Sequence, residues 1–506
     1  MPPVLGVRTL AAAMSLLVAA GLTLPAHAAD NAKARGDWRM VPQSKDVDGD
    51  GFIDGDGGVP AKRPLGAVPS PTFEGAGNQI AQPAERLING VQSWYLNPRG
   101  YSVTLDACKS SGNEYQWRIY RGKEQIERVR WRKLTKKTCK RNILLQEGSY
   151  RFKLEVRSGA SDVDFQWMNA EVIDYLFVIL GDSYASGDGN PRNIDAWLRD
   201  PNGEFDPYYD DVACKRSVHA GPVQAALTLE NSSKKSSVTV IDVSCSGATI
   251  LTGVLGPFPF AGQETSQIEQ VQAIIGNRPI DIVALSAGGN DIGFTSILST
   301  CALSFNCPVA SASTLPLSRF DSVNEGVQTL TGRLPAKYAQ LAGCLGGDSC
   351  TLTSGAQVAP LTMADGARVL PMTYPDITRS AVGEPCRYLT LSPSDFSWAR
   401  DTILALQAPN PYLFSPSFGS DRNLSTANGT LNGQILATTA LGWEPVAGIW
   451  GASGESTTGH GVCAGDKSWV FGVTTLSGPF ASAAFHPNPA GQRSIGRQIA
   501  RTLGLR

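Results

Sequence analysis

Four short apolar runs, each bounded by turn residues, constrain this chain more than any other feature. They are Leu176-Phe177-Val178-Ile179-Leu180, Val238-Thr239-Val240-Ile241, Ile282-Val283-Ala284-Leu285 and Val369-Leu370-Pro371-Met372. A strand with one face in water alternates apolar and polar residues, whereas a strand covered on both faces reads as a nearly unbroken apolar run. Helical patterns lie between the runs, at Gly221 to Glu230 and Gln267 to Ile275. Strand and helix in alternation predict an α/β domain with a central parallel sheet, from about residue 173 to 506. Such sheets bind ligands beyond the carboxyl ends of their strands, so the chemistry is to be sought there.

The preceding residues follow other patterns. Between 91 and 172, Tyr101 to Leu105, Tyr115 to Tyr120 and Tyr150 to Val156 alternate apolar and polar side chains. A period of two belongs to half-buried antiparallel strands, and predicts a small all-β, sandwich-like module. Its strand pattern resembles Ig-like or polycystic-kidney-disease-type domains. Between Arg118 and Arg141 stand eleven basic and two acidic residues. A solvated strand face is the simpler account of that charge; binding an anionic surface polymer, or packing on the more acidic remainder, is the sharper one.

Residues 29–90 are rich in Gly, Pro and Asp. Asp46, Asp48, Asp50 and Asp54 alternate as at the start of a calcium loop, with Gly51 at the turn. The twelfth position is Gly57 rather than a bidentate Glu, so the segment resembles short Asp-rich calcium repeats more than an EF-hand. A structural Ca²⁺ site and a solvated acidic linker both remain open.

Arg8 precedes an apolar run from Leu10 to Leu24, and Ala26-His27-Ala28 follows. This layout predicts a secretory signal peptide over residues 1–28. The run is short for a transmembrane anchor, which needs about 20 apolar residues. Export turns the ten cysteines into disulfide candidates. Pairing neighbours along the chain gives Cys108–Cys139, Cys214–Cys245, Cys301–Cys307, Cys344–Cys350 and Cys386–Cys463. A zinc site is disfavoured because no Cys-x-x-Cys occurs and few histidines lie nearby. With 44 basic and 45 acidic residues the chain also lacks the basic excess of a nucleic-acid binder.

Distinct polar blocks follow the apolar runs. Gly181-Asp182-Ser183-Tyr184-Ala185-Ser186-Gly187-Asp188-Gly189 follows the first, Asp242-Val243-Ser244-Cys245-Ser246-Gly247-Ala248 the second and Ser286-Ala287-Gly288-Gly289-Asn290-Asp291-Ile292-Gly293 the third. Phe485-His486-Pro487-Asn488 stands near the carboxyl terminus. In this order the blocks resemble those of the GDSL/SGNH hydrolases, over about two-thirds of the chain. Spacing and cysteine-rich insertions are similar to the secreted actinobacterial-type esterases and lipases. The resemblance implies a three-layer α/β/α fold, Ser183 as nucleophile and His486 as its general base. It also implies an oxyanion hole from the Ser183 and Gly247 main-chain N–H groups and the Asn290 side chain.

The chemistry is coherent without the name. A serine hydroxyl becomes a useful nucleophile once an imidazole takes its proton. The oxyanion of the tetrahedral intermediate then needs preorganised donors. The family pattern places Asp three residues before the histidine, where this chain has Ala483. The Ala483 carbonyl is therefore expected to hold His486 through Nδ1–H, with Asp466 or another distant carboxylate as the alternative. No cofactor is needed for catalysis. The expected substrate is a carboxylic ester, preferably a lipid or acylated polymer, with Trp398, Trp443, Trp450 and Trp469 as candidates for an acyl pocket. A polysaccharide O-acetyl esterase, and a non-catalytic surface-binding protein with a degenerate hydrolase domain, are the other readings.

Overall fold

The structure, a computed structural model, describes residues 31–40, 52–53, 80–81, 100–191, 209, 211–304, 306–388, 390–404, 429–449, 459–472 and 483–505. Two compact units divide the chain. The smaller takes residues up to 37 with 106–141 and 151–169, and the larger takes 38–105, 142–150 and 170–506. The linear reading divided the chain at 90 and 172 instead. The difference arises because strands from the first 150 residues join the larger unit.

Fifteen strands are described. In chain order they are β1 (Asp37–Met40), β2 (Phe52–Ile53), β3 (Ile80–Ala81), β4 (Tyr101–Asp106), β5 (Glu114–Arg121), β6 (Glu124–Lys133), β7 (Lys140–Leu145), β8 (Gly148–Arg157), β9 (Val163–Val172), β10 (Asp174–Gly181), β11 (Ser237–Asp242), β12 (Ile280–Ser286), the hairpin β13 (Cys350–Thr351) and β14 (Gln357–Val358), and β15 (Met363–Pro371).

The larger unit is built on a six-stranded sheet of order β15-β12-β10-β11-β3-β2. All of its pairings are parallel. The four apolar runs form β10, β11, β12 and β15. Every residue of β11, and all but one in β12 and in β10, is buried. Successive side chains point to opposite faces, so these strands are covered on both sides. Helix α2 (Gly221–Ser232) packs on β11 and α3 (Gln267–Ile275) on β10. Ser266 and Glu269 form a capping box that starts α3. From the Gly/Pro/Asp-rich segment, β3 and β2 extend this sheet beyond β11. Two-residue strands are too short to leave a period in the sequence.

A buried charge cluster holds the amino-terminal end of β10. Arg278 is paired with Asp174 at 2.6 Å, and Asp174 also accepts the Thr239 hydroxyl at 2.6 Å. The carboxylate holds the guanidinium's pKa above its usual value against the effect of burial. Glu147 accepts the Asp174 N–H at 2.8 Å.

In the smaller unit the sheet order is β6-β5-β8-β9, with β5 antiparallel to both neighbours. Tyr115, Trp117, Ile119, Phe152, Leu154 and Val156 line its buried face. The basic stretch runs from β5 through edge strand β6 to β7, and Arg128, Arg130, Arg132 and Lys133 lie on β6, where only Val129 is buried. Lysine and arginine on an exposed edge discourage pairing with other chains, which matches the solvated-face reading. All five cysteine pairs are bonded as chain neighbours: 108–139, 214–245, 301–307, 344–350 and 386–463. No helix among the described residues is long and apolar enough to cross a membrane.

Removing one partner of a buried ion pair leaves an uncompensated charge. Arg278→Met is therefore expected to destabilise the protein by about 3–5 kcal/mol, measured by urea unfolding. Adding Asp174→Asn to that variant should restore part of the loss.

Candidate active site

The site begins where β10 and β12 end side by side, with Gly181 opposite Ser286 in the parallel register. Gly181 has φ +119°, and a Cβ there would fall inside the Ser286 carbonyl. Only glycine fits this approach. The Gly181 peptide is clamped by the Gln267 side chain, which accepts its N–H at 2.7 Å and donates to its carbonyl at 2.9 Å. Cys245 N–H donates to the same carbonyl at 2.9 Å, and Asp182 N–H donates to Ser286 O at 2.8 Å. The first three polar blocks therefore meet at one glycine.

Asp182 caps the single helical turn α1 (Ser183–Ser186), accepting the Tyr184 N–H at 3.0 Å. Its carboxylate also accepts the Ser286 hydroxyl at 2.7 Å and the Tyr374 hydroxyl, and Tyr374 in turn accepts the Gly289 N–H at 2.9 Å. Burial raises the Asp182 pKa to about 6, while the hydrogen bonds from Tyr374, Ser286 and Tyr184 and the nearby His486 pull the other way. Ser183, the next residue, is buried with 7% of its surface exposed.

Gly247 sits just past β11 with φ +87° and the Phe258 ring against it. The Cys214–Cys245 disulfide pins this loop, and Ser246 N–H donates to Cys214 O at 3.0 Å. Asn290 Nδ2 donates to Ala248 O at 3.0 Å, which brings the third block's carboxamide beside the second block. Asp291, the following residue, accepts the Ile250 N–H at 3.0 Å and pairs with Lys337 at 2.6 Å.

His486 arrives from the far end of the chain. Tyr184 donates its hydroxyl to Phe485 O at 2.9 Å across 301 residues, and Asn190 Nδ2 donates to Pro487 O at 2.7 Å. The Tyr184 and His486 rings lie 5.8 Å apart. Among the described residues no hydrogen bond joins the Ser183 hydroxyl to His486. Catalytic contacts of this kind commonly tighten only with substrate bound.

The expected role of Ala483 needs correction. Its carbonyl accepts the main-chain N–H of His486 at 3.0 Å. Phe485, with φ +63°, closes a turn that aims this carbonyl at the backbone rather than at the ring. His486 Nδ1 is buried with no hydrogen-bond partner. Asp466 lies exposed on a 3₁₀ turn and makes no bond to His486. The carboxylate that does face the imidazole is Asp188, with Oδ2 4.0 Å from His486 Nε2.

His460 stacks on Trp469 at 3.5 Å between ring centroids and contacts Lys467 O through Nδ1. Trp443 is buried edge-on to Tyr338. Trp450 and the candidate calcium residues Asp46, Asp48, Asp50 and Asp54 lie outside the described residues, as does the signal-peptide segment. Among the described residues, Asp106, Cys108 and Cys139 form the grouping with metal-ligand spacing, but the two thiols are joined to each other.

An apolar cavity adjoins the blocks. Tyr184, Gly289 and Phe485 line it, the immediate neighbours of Ser183, Asn290 and His486. Its walls continue through Phe294, Ile297, Phe396, Trp398 and Ile403. Trp398 is thus the one described candidate tryptophan that lines the cavity. Asp182 and Asp188 stand in the first polar block but carry no assigned role there, and Tyr374 stands in none, because a Tyr or Asp in a loop carries no local signal of burial.

No protein-family model and no curated protein matches the chain. Solved structures similar to it include an extracellular lipase from Streptomyces rimosus, at 18% identity and TM-score 0.37 over 65% of this chain and 98% of that one. A phospholipase A1 from Streptomyces albidoflavus aligns at 21% identity and TM-score 0.36 over the same shares. A carbohydrate acetylesterase family member from Sinorhizobium meliloti aligns at 10% identity and TM-score 0.25, over 65% and 100%. At such TM-scores the assignment of function rests on the chain's own geometry.

A carboxyl whose pKa is raised by folding binds its proton more tightly in the folded state. The Asp182 contribution is therefore complete below pH 3.8 and is lost as pH rises through about 6. Asp182→Asn keeps a capping side chain. Its unfolding free energy should lack this decline, a difference of up to about 3 kcal/mol between pH 4 and 6 in urea titrations.

Proposed function

We propose that this chain is a GDSL/SGNH-type serine hydrolase that cleaves carboxylic esters, with acyl or lipid esters as its substrates. One observation carries the reading. The residues before or after Ser183, Asn290 and His486 line a single apolar cavity at the ends of a parallel sheet. An acyl chain lying there would carry its ester carbonyl to the edge where those three side chains stand. Burial of each methylene contributes about 0.8 kcal/mol, so a longer chain would be held more firmly.

In this scheme Ser183 attacks the ester carbonyl as His486 accepts the hydroxyl proton. The Oγ–C bond forms and the carbonyl electron pair moves onto oxygen. The Ser183 and Gly247 N–H groups and the Asn290 carboxamide receive that oxyanion. Collapse breaks the bond to the alcohol, which leaves with the proton from His486. Water then repeats the sequence and releases the acid. No cofactor takes part. The leader-like segment before residue 29 and the five disulfides support an exported enzyme.

Hydrolysis of p-nitrophenyl esters tests the substrate class. Rates should rise from acetate to medium or long acyl chains; activity confined to acetate would favour the O-acetyl esterase reading instead. A fluorophosphonate probe should label the protein, and Ser183→Ala should abolish both labelling and turnover. Failure of the native protein to label or turn over any ester would leave the non-catalytic reading. Asn290→Ala should lower kcat by about 10²–10³ with little change in KM, as measured by initial rates.

A further inference from the structure

We infer that Asp188 is the carboxylate that orients His486 and balances its charge during the reaction. The inference rests on the esterase reading above and replaces the Ala483 carbonyl. Asp188 belongs to the same turn as Ser183, and its main-chain N–H donates to Ser183 O at 3.2 Å. Its side chain is 4% exposed. Oδ2 accepts the Ser246 hydroxyl at 2.7 Å, beside Gly247, and lies 4.0 Å from His486 Nε2. Oδ1 is buried and has no hydrogen-bond partner.

The approach is between Oδ2 and Nε2, while Oδ1 of the carboxylate and Nδ1 of the ring are the atoms left without partners. A buried carboxylate with an orphaned oxygen is costly, and so is a buried imidazole nitrogen without a partner. A hydrogen bond here requires the 4.0 Å gap to close to about 3 Å as substrate binds. One imidazole nitrogen then donates its proton to Asp188, and the other is left to take the Ser183 proton. When that proton arrives the ring becomes imidazolium, and the adjacent carboxylate stabilises the charge without itself being protonated. The fold gives Asp188 little freedom to do otherwise. Its backbone is tied to the nucleophile's turn, and its side chain is tied to the oxyanion-side loop through Ser246. Asp188 is a positioning residue in this account, since it acts on substrate only through His486.

Kinetics of Asp188→Asn and Asp188→Glu on the best p-nitrophenyl ester test this. Asp188→Asn should lower kcat by about 10²–10⁴ while KM changes less than about threefold. Asp188→Glu should recover part of that loss. Among the described residues Asp182 and Asp188 are the charged groups acting on His486, with the Tyr184 ring beside it. Loss of one carboxylate should therefore move the acid limb of the kcat/KM profile to lower pH. An unchanged kcat and pH profile in a folded Asp188→Asn variant would overturn the inference. Absence of any esterase activity or probe labelling in the native protein would instead overturn the esterase reading itself. Should Asp188→Asn fail to fold, the native protein still decides the matter by NMR. A His486 ring N–H bonded to a carboxylate resonates well downfield, and its absence across the pH range would dismiss Asp188.

Discussion

The close approach of the β10 terminus to the β12 terminus is the constraint on which the rest of the site depends. Gly181 lies opposite Ser286 with no room for a side chain between them. That contact lets Asp182 turn inward, bonded through its N–H to the Ser286 carbonyl and through its carboxylate to the Ser286 hydroxyl. Burying an ionisable carboxyl is costly, and here three donors offset much of the cost. With Asp182 fixed, Ser183 has one position, at the first residue of a capped turn.

The same economy joins the remaining pieces. The Gly181 carbonyl takes the Cys245 N–H, so the loop carrying Gly247 is registered against the serine turn by a main-chain bond. The Cys214–Cys245 disulfide limits that loop's other freedom. The Tyr184 hydroxyl reaches the carbonyl before His486, so the turn that presents the serine also receives the histidine. Apolar side chains beside these residues then form the cavity wall. Polar groups at the strand ends and an apolar hollow next to them are what an ester substrate with an acyl chain requires.

Much of this architecture was legible in the sequence. The four apolar runs lie in four adjacent parallel strands, and α3 spans the residues its periodicity indicated. Strands β6, β7 and β9 are not among the three named from the period of two. Charged residues dominate β6, and β9 alternates apolar and polar residues with the apolar Val163, Phe165 and Trp167 facing solvent while Asp164 and Gln166 accept the Ala34 and Gly36 N–H groups. Strands β2 and β3 hold two residues each and depend on β11 for their pairing.

For the site, the residue types and their order along the chain were determined locally. Ser183, Gly247 and Asn290 each sit in a short block whose glycines and turn residues mark a strand end, and His486 sits just before Asn488, which caps the last helix. The carboxylate beside the histidine was decided only by the tertiary structure. Near His486 in sequence the candidate was a carbonyl, but a left-handed Phe485 directs that carbonyl to the backbone. Asp188 faces the ring because the first and last blocks are brought together by folding. Local sequence can specify a turn, since a turn is made by neighbours. Which buried charge meets which ring depends on contacts hundreds of residues apart, and on the desolvation that only a closed core imposes.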